Sequence, residues 1–306
     1  MRLIPAFFRL IRWQNGLFIV ITQMLFYFCV YKTIFKGEEP VSQIIWLIIA
    51  SFLIASAGYI INDYFDLNID RINKPEKNVV DSVIHRRWVI LWHLILSGAG
   101  IIATAKAVSF QKWYLIIANI ACVILLWLYS TSFKRQLLVG NIVIAVLTAW
   151  TVLILFFAKV SFDAAFDSPD DETVKLFRVA FLYAGFAFII TIIREAIKDV
   201  EDMEGDRRYG CKTLPIVAGV TATKIYTSVW MVVLIGALIV LQLYILQFQW
   251  WWAIIYITFC VLAPLLYLFV QHYKARSNKA FAQLSRLTKW ITLAGILSMI
   301  FFRFYL

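Results

Sequence analysis

Apolar runs of about 20 residues, separated by short charged stretches, recur along the whole chain, and each is long enough to cross a hydrocarbon core of ~30 Å as a helix. Nine such spans are predicted, at roughly 14–34, 42–62, 88–106, 112–130, 138–158, 174–194, 224–246, 250–271 and 289–305. A helical bundle satisfies this much backbone in lipid, because each helix pairs its own N–H and C=O groups. The expected fold class is therefore all-α: a polytopic membrane protein, with residues 1–306 forming a single integral-membrane domain. The first run is long and lacks a small-residue cleavage site, so it reads as a true span rather than a removable signal.

The polar positions that break this pattern are not scattered. Asp63, Asp66 and Asp70 follow the second run at i, i+3 and i+7, and Asp199, Asp202 and Asp206 follow the sixth at the same spacing. On a helix those offsets place three carboxylates on one face. A solvated helix end would explain one such trio. Two matching trios, each at the edge of a membrane span where unpaired carboxylates are costly, point to a shared task. Each trio is followed directly by an arginine, Arg71 or Arg207, and then by a basic loop, which makes a weak parallel repeat.

Composition narrows the class. An apolar fraction of 62% with only 15% charged residues lies outside the soluble range. The net charge of +11 might suggest a nucleic-acid partner, but its placement accounts for it without one. Of the 29 Lys and Arg residues, twenty-one fall on the N-terminal tail and the connections after spans two, four, six and eight, against eight on the other side. The positive-inside rule then puts the N-terminus and both Asp trios on the cytoplasmic face of a cell membrane. The four cysteines and three histidines have no disulfide or metal-ligand spacing, and His93, within an apolar run, reads as a core residue.

The charged connections supply further candidates. After the first trio come Arg71, Lys74, Lys77, Arg86 and Arg87, with Pro75 stopping any continuing helix. Span four ends in Tyr129-Ser130-Thr131-Ser132-Phe133-Lys134-Arg135, and span five opens near Gly140-Asn141. Arg194 and Lys198 lead into the second trio, where Gly205 and Gly210 suggest a tight loop. Asn15, a carboxamide at the start of span one, wants a partner. The acidic stretch 162–172 reads as a solvated outer loop, and the basic stretch 271–279 as a plain connection.

Carboxylate oxygens suit Mg²⁺, which binds through one or two carboxylates plus substrate phosphates. Two facing trios could hold Mg²⁺ bridged to a diphosphate, with nearby Lys and Arg stabilising the charge on the leaving group. If that group leaves an allylic carbon, the resulting cation needs a dry, electron-rich wall, and 25 Phe, 14 Tyr and 12 Trp give the capacity for one. A divalent-cation transporter with acidic mouths is the alternative of another class, and it would place ionisable residues at mid-span.

At these residues the chain resembles the UbiA superfamily of intramembrane prenyltransferases. The family's NDxxDxxxD motif stands as Asn62, Asp63, Asp66 and Asp70, and its DxxDxxxD motif as Asp199, Asp202 and Asp206. The Tyr129–Lys134 segment, Gly140-Asn141 and Asn15 are similar to further landmarks. The resemblance implies nine transmembrane helices around a central cavity. It also implies Mg²⁺ held by all six aspartates, catalysis resting on Asp63, Asp66, Asp199 and Asp202, and Asn62, Arg71, Lys134, Arg194, Lys198, Asn15 and Tyr129 as substrate contacts. The implied partners are a polyprenyl diphosphate, a lipid-pathway acceptor and membrane lipid, with no nucleic acid. The stretches Asp70–Pro75, Glu204–Asp206 and Lys212–Pro215 look most like the ether-lipid branch, which transfers geranylgeranyl to geranylgeranylglyceryl phosphate. After Pro75 the chain departs from that branch's pattern with Glu76-Lys77-Asn78. An aromatic quinone precursor (4-hydroxybenzoate, homogentisate or dihydroxynaphthoate type) is therefore kept as the alternative acceptor.

Overall fold

A computed structural model describes residues 3–36, 41–73, 80–160 and 170–305. Lys74, Pro75, Lys77 and most of the acidic stretch after span five lie outside the described residues. Among the described residues, nine helices are long and apolar enough to span a bilayer: Trp13–Ile34, Val41–Asn73, Arg86–Ala107, Tyr114–Thr131, Val139–Lys159, Asp171–Glu201, Gly219–Leu246, Trp251–Lys274 and Asn278–Tyr305. They are numbered one to nine below. A short amphipathic helix, Leu3–Leu10, precedes them. Leu3, Ile4 and Phe8 are exposed while Ala6 and Leu10 are buried against spans two and three, so the helix presents an apolar outer side where the bundle meets lipid.

The helix of span nine begins at Asn278 rather than near 289, and a second departure from expectation is in the lengths of spans two and six. Their helices do not stop at the membrane edge but run for 33 and 31 residues, which at 1.5 Å per residue is about 50 and 46 Å. Only ~30 Å of that is needed to cross the hydrocarbon. The surplus turns stand beyond it and carry the polar motifs. Span six starts from a capped end, where the Asp170 side chain accepts the Thr173 N–H at 2.6 Å. Holding the charged form in that bond lowers the Asp170 carboxyl below its usual value.

Apolar packing forms two main cores. One gathers Phe26, Tyr27, Leu47, Phe156 and Leu176 from spans one, two, five and six. The other gathers Ile193, Leu234, Leu265 and Phe281 from spans six to nine. Span six belongs to both and is the bundle's central post. Lipid offers no hydrophobic drive between helices, so polar ties do part of the fastening. The buried Gln23 donates to Ser51 Oγ at 2.9 Å and to the Thr151 carbonyl at 2.8 Å, binding spans one, two and five. His93 is core as expected, 3.0 Å from the Ala57 carbonyl through Nδ1.

Candidate active site

The polar ends of spans two, four, six and nine, with the start of span five and the N-terminal segment, enclose a cavity of about 740 Å³ at one end of the bundle. All six motif aspartates line it, along with Asn15, Asn62, Tyr129, Lys134, Arg194 and Lys198. Of the residues expected to contact substrate or metal, Arg71 is not brought there. It is exposed near the end of the span-two helix and is not part of the lining. Helical geometry explains this, because Arg71 is one residue past Asp70 and so about 100° away from the carboxylate face.

The first motif sits on unbroken helix, so its three carboxylates share a face as the spacing predicts. Each of its first two aspartates carries a cation. Arg12 donates to Asp63 Oδ1 at 2.5 Å. Lys134 pairs with Asp66 Oδ1, and both side chains are largely shielded, at 10% and 15% exposure. Asn62 donates to the other Asp66 oxygen at 2.6 Å, which leaves that carboxylate oriented from two sides.

Arg12 was not legible as a site residue. It reads as part of an interfacial anchor, but its backbone turns left-handed (φ 47°, ψ 50°) between the amphipathic helix and span one. That kink carries its guanidinium across Tyr59 and onto Asp63.

The second motif corrects the sequence reading. The helix of span six ends at Glu201, Asp202 adopts a non-helical conformation, and a separate short helix, Met203–Arg208, carries Asp206. The three carboxylates therefore do not lie on one continuous helical face, though all three still face the cavity. Gly205 lies inside that short helix rather than in a loop, whereas Gly210 does make a turn at φ +71°.

The break at Asp202 is held from across the site. Asn73, at the end of span two, donates to the Asp202 carbonyl and accepts the Gly205 N–H, both at 2.9 Å. Asn141, at the start of span five, donates to Asp199 Oδ2 at 2.9 Å. Glu195, buried and absent from the sequence-based set, takes Arg194 at 2.7 Å on one oxygen and Lys198 at 3.6 Å on the other.

The electrostatics of the second motif are those of crowded, partly buried carboxylates. Burial, followed by the nearby Asp202 and Asp66 carboxylates, pushes Asp206 up to about 7. Among the described residues, no three His, Cys, Asp or Glu side chains converge closely enough to ligate an ion by themselves. Mg²⁺ does not require that, since it keeps waters and shares its shell with phosphate. The donor set is entirely oxygen, and its charge is only partly offset, so the residues present fit such an ion. The expected aromatic wall is narrower than the composition allows: Phe8, Trp13 and Tyr129 are the aromatic lining residues, and of these only Tyr129 stands between the motifs.

Comparison with known proteins bears on the family and the fold. A model described as the UbiA prenyltransferase family matches residues 20–301. A digeranylgeranylglyceryl phosphate synthase of Methanosphaera stadtmanae is 27% identical over 82% of this chain and 83% of that one. The Methanobrevibacter smithii synthase of the same name is 31% identical over 74% of this chain and 67% of its own. Among solved structures, one from work on digeranylgeranylglyceryl phosphate synthase in membranes superposes with a TM-score of 0.65 at 24% identity, covering 98% of this chain and 99% of that one. A UbiA homologue from Archaeoglobus fulgidus bound to DMAPP and Mg²⁺ gives 0.60 at 16% identity, over 96% and 99%. At those identities the structures speak for the fold.

Proposed function

This chain belongs to the UbiA prenyltransferase family, and from that premise we propose that it transfers a geranylgeranyl group from its diphosphate to geranylgeranylglyceryl phosphate. The observation that carries this reading is the convergence of both aspartate motifs on one cavity, where Arg12 and Lys134 already rest on carboxylates of the first. The named relatives support the choice of acceptor.

The prenyl diphosphate's allylic C–O bond breaks, and the electron pair leaves with the diphosphate. Arg12 and Lys134 are placed to turn from Asp63 and Asp66 to the phosphate oxygens, and Arg194 and Lys198 border the same space. Mg²⁺ held by Asp63, Asp66 and Asp70 on one side and Asp199, Asp202 and Asp206 on the other would neutralise diphosphate charge when bound. Tyr129 lines the cavity, where its ring would face the allylic cation as it forms. The acceptor hydroxyl attacks that carbon, a new C–O bond forms, and the proton passes to the released diphosphate. The positive-inside count supports a cytoplasmic position for this end of the bundle.

The decisive experiment offers purified protein several labelled prenyl diphosphates against geranylgeranylglyceryl phosphate, 4-hydroxybenzoate, homogentisate and dihydroxynaphthoate. Mg²⁺-dependent ether formation with the first acceptor is expected. Transfer only to an aromatic acceptor would move the chain to the quinone branch. Metal flux in liposomes without transfer would favour a transporter, a reading that His93 does not assist, since it is engaged with the Ala57 carbonyl.

A further inference from the structure

The cations around the cavity fall into two sets. Arg12, Lys134, Arg194 and Lys198 each lie on a carboxylate. Arg9 of the amphipathic helix and, from span nine, Arg286 and Lys289 line the same cavity and make no ion pair with any described residue. Lys289 spends one of its three N–H donors on Asn15 Oδ1 at 3.0 Å, which is a neutral acceptor. Its charged neighbours across the cavity are Arg194, Lys198 and Arg12, with Glu195 the one carboxylate among them, so like charges outnumber unlike. A half-buried ammonium held near other cations, with two donors unspent, is costly unless an anion arrives to share them.

Charge pairing, rather than distance, sets this pair apart from the cations that rest on carboxylates. Arg286 and Lys289 are three residues apart on one helix face, on the side of the cavity beside Asn15 of the N-terminal segment. Arg286 is exposed at the rim, and Lys289 is half-buried below it. The amphipathic helix that borders this rim shows Leu3, Ile4 and Phe8 outward, the chemistry of a lipid interface. A phosphomonoester on an isoprenoid-ether glycerol has the matching shape: tail in the bilayer, dianionic head at the boundary.

We infer that Lys289 and Arg286 form the phosphate subsite of the acceptor, distinct from the metal-diphosphate clamp. The inference rests on the glyceryl phosphate reading above. It makes span nine, which carries neither motif, the element that chooses a phosphorylated acceptor over a neutral one.

Two-substrate kinetics in nanodiscs of zwitterionic lipid test it. In the R286Q/K289M double variant the KM for geranylgeranylglyceryl phosphate should rise roughly 10- to 100-fold, the loss expected for charge-assisted hydrogen bonds. The KM for the prenyl diphosphate should stay unchanged. The preference of the wild type for the phosphate over the corresponding dephosphorylated alcohol should collapse. K289R should recover much of it, and R286Q alone, at an exposed rim position, gives a milder version in a protein that folds normally. A rise in the diphosphate KM, or equal losses with phosphate and alcohol, overturns the inference. So does a wild-type rate that tracks added anionic phospholipid while the variants keep their acceptor KM, which would mark a bilayer headgroup site. The wild type alone tests the underlying reading: failure to prenylate any glyceryl phosphate sinks that reading before the variants are made.

Discussion

Asn73 clasps Gly205 across the site, accepting its N–H while its own amide reaches the Asp202 carbonyl, each at 2.9 Å. One side chain thus ties the end of the first motif's helix to the break in the second. The fit leaves no room for a side chain at Gly205, since a Cβ there would lie 2.6 Å from both the oxygen and the nitrogen of the Asn73 amide. Gly205→Ala should push the clasp open and cost about 1–3 kcal/mol. Asn73→Ala, which strands the Asp202 carbonyl and the Gly205 N–H, should cost a similar ~1–3 kcal/mol. Both should depress kcat beyond what their melting temperatures account for, because they release Asp202 and Asp206 from position. Full turnover in Asn73→Ala would show that the clasp is structural only.

Asp63 and Asp202 come from different motifs and different spans. Asp63→Asn or Asp202→Asn should abolish turnover while the protein still inserts and folds, as judged by monodisperse elution and an unchanged helical spectrum. Retained activity in either, or activity after chelation of divalent metal, contradicts the clamp.

The carboxyl of Asp206, held up at about 7 against a usual 3.8, predicts how metal binding depends on pH. The folded protein without metal binds more protons at this position than the unfolded chain between those values. Asp206 therefore contributes less stability as pH rises from about 4 to about 7. A divalent cation reverses the sense, because it needs the carboxylate. Mg²⁺ affinity should climb as pH rises through about 7, with about one proton released per binding event at the lower end. Isothermal titration in buffers of differing ionisation enthalpy measures that release. Asp206→Asn should flatten the pH dependence, and a wild-type affinity independent of pH across this range would refute it.

Much of this is legible in the sequence. Spans two and six declared themselves by apolar runs, and Asp63, Asp66 and Asp70 by helical spacing that an unbroken helix realises. What escaped the sequence depends on contacts between distant residues. The break at Asp202 has no proline or glycine at the break itself, and it is stabilised by Asn73, which lies far away in the chain. Arg12 looks like an interface anchor until the left-handed turn aims it at Asp63. Lys289 looks like one more positive charge at the edge of span nine, and only the folded bundle sets it against Asn15. Arg71 failed in the other direction: adjacency in sequence to Asp70 is a different face on a helix.

The last prediction concerns how Lys134 is aimed. Gly140, in the first turn of span five, packs against the backbone of the turn Phe133–Arg135, and a Cβ there would lie 2.8 Å from Lys134 Cα and 3.1 Å from the Phe133 carbonyl oxygen. Those are backbone atoms, so a clash cannot be relieved by swinging a flexible chain end. The turn must move, and Lys134 must leave Asp66. Lys134→Met removes the cation outright and should lower kcat by about 10²-fold, the usual scale for one preorganised charge on a leaving group. Gly140→Ala should approach the same loss with the lysine still present. If both act through the position of one ammonium, the double variant should be no worse than Lys134→Met alone, a clear failure of additivity. Losses that multiply in the double variant would mean that Gly140 serves the site by another route, for example through its neighbour Asn141 and the hydrogen bond to Asp199.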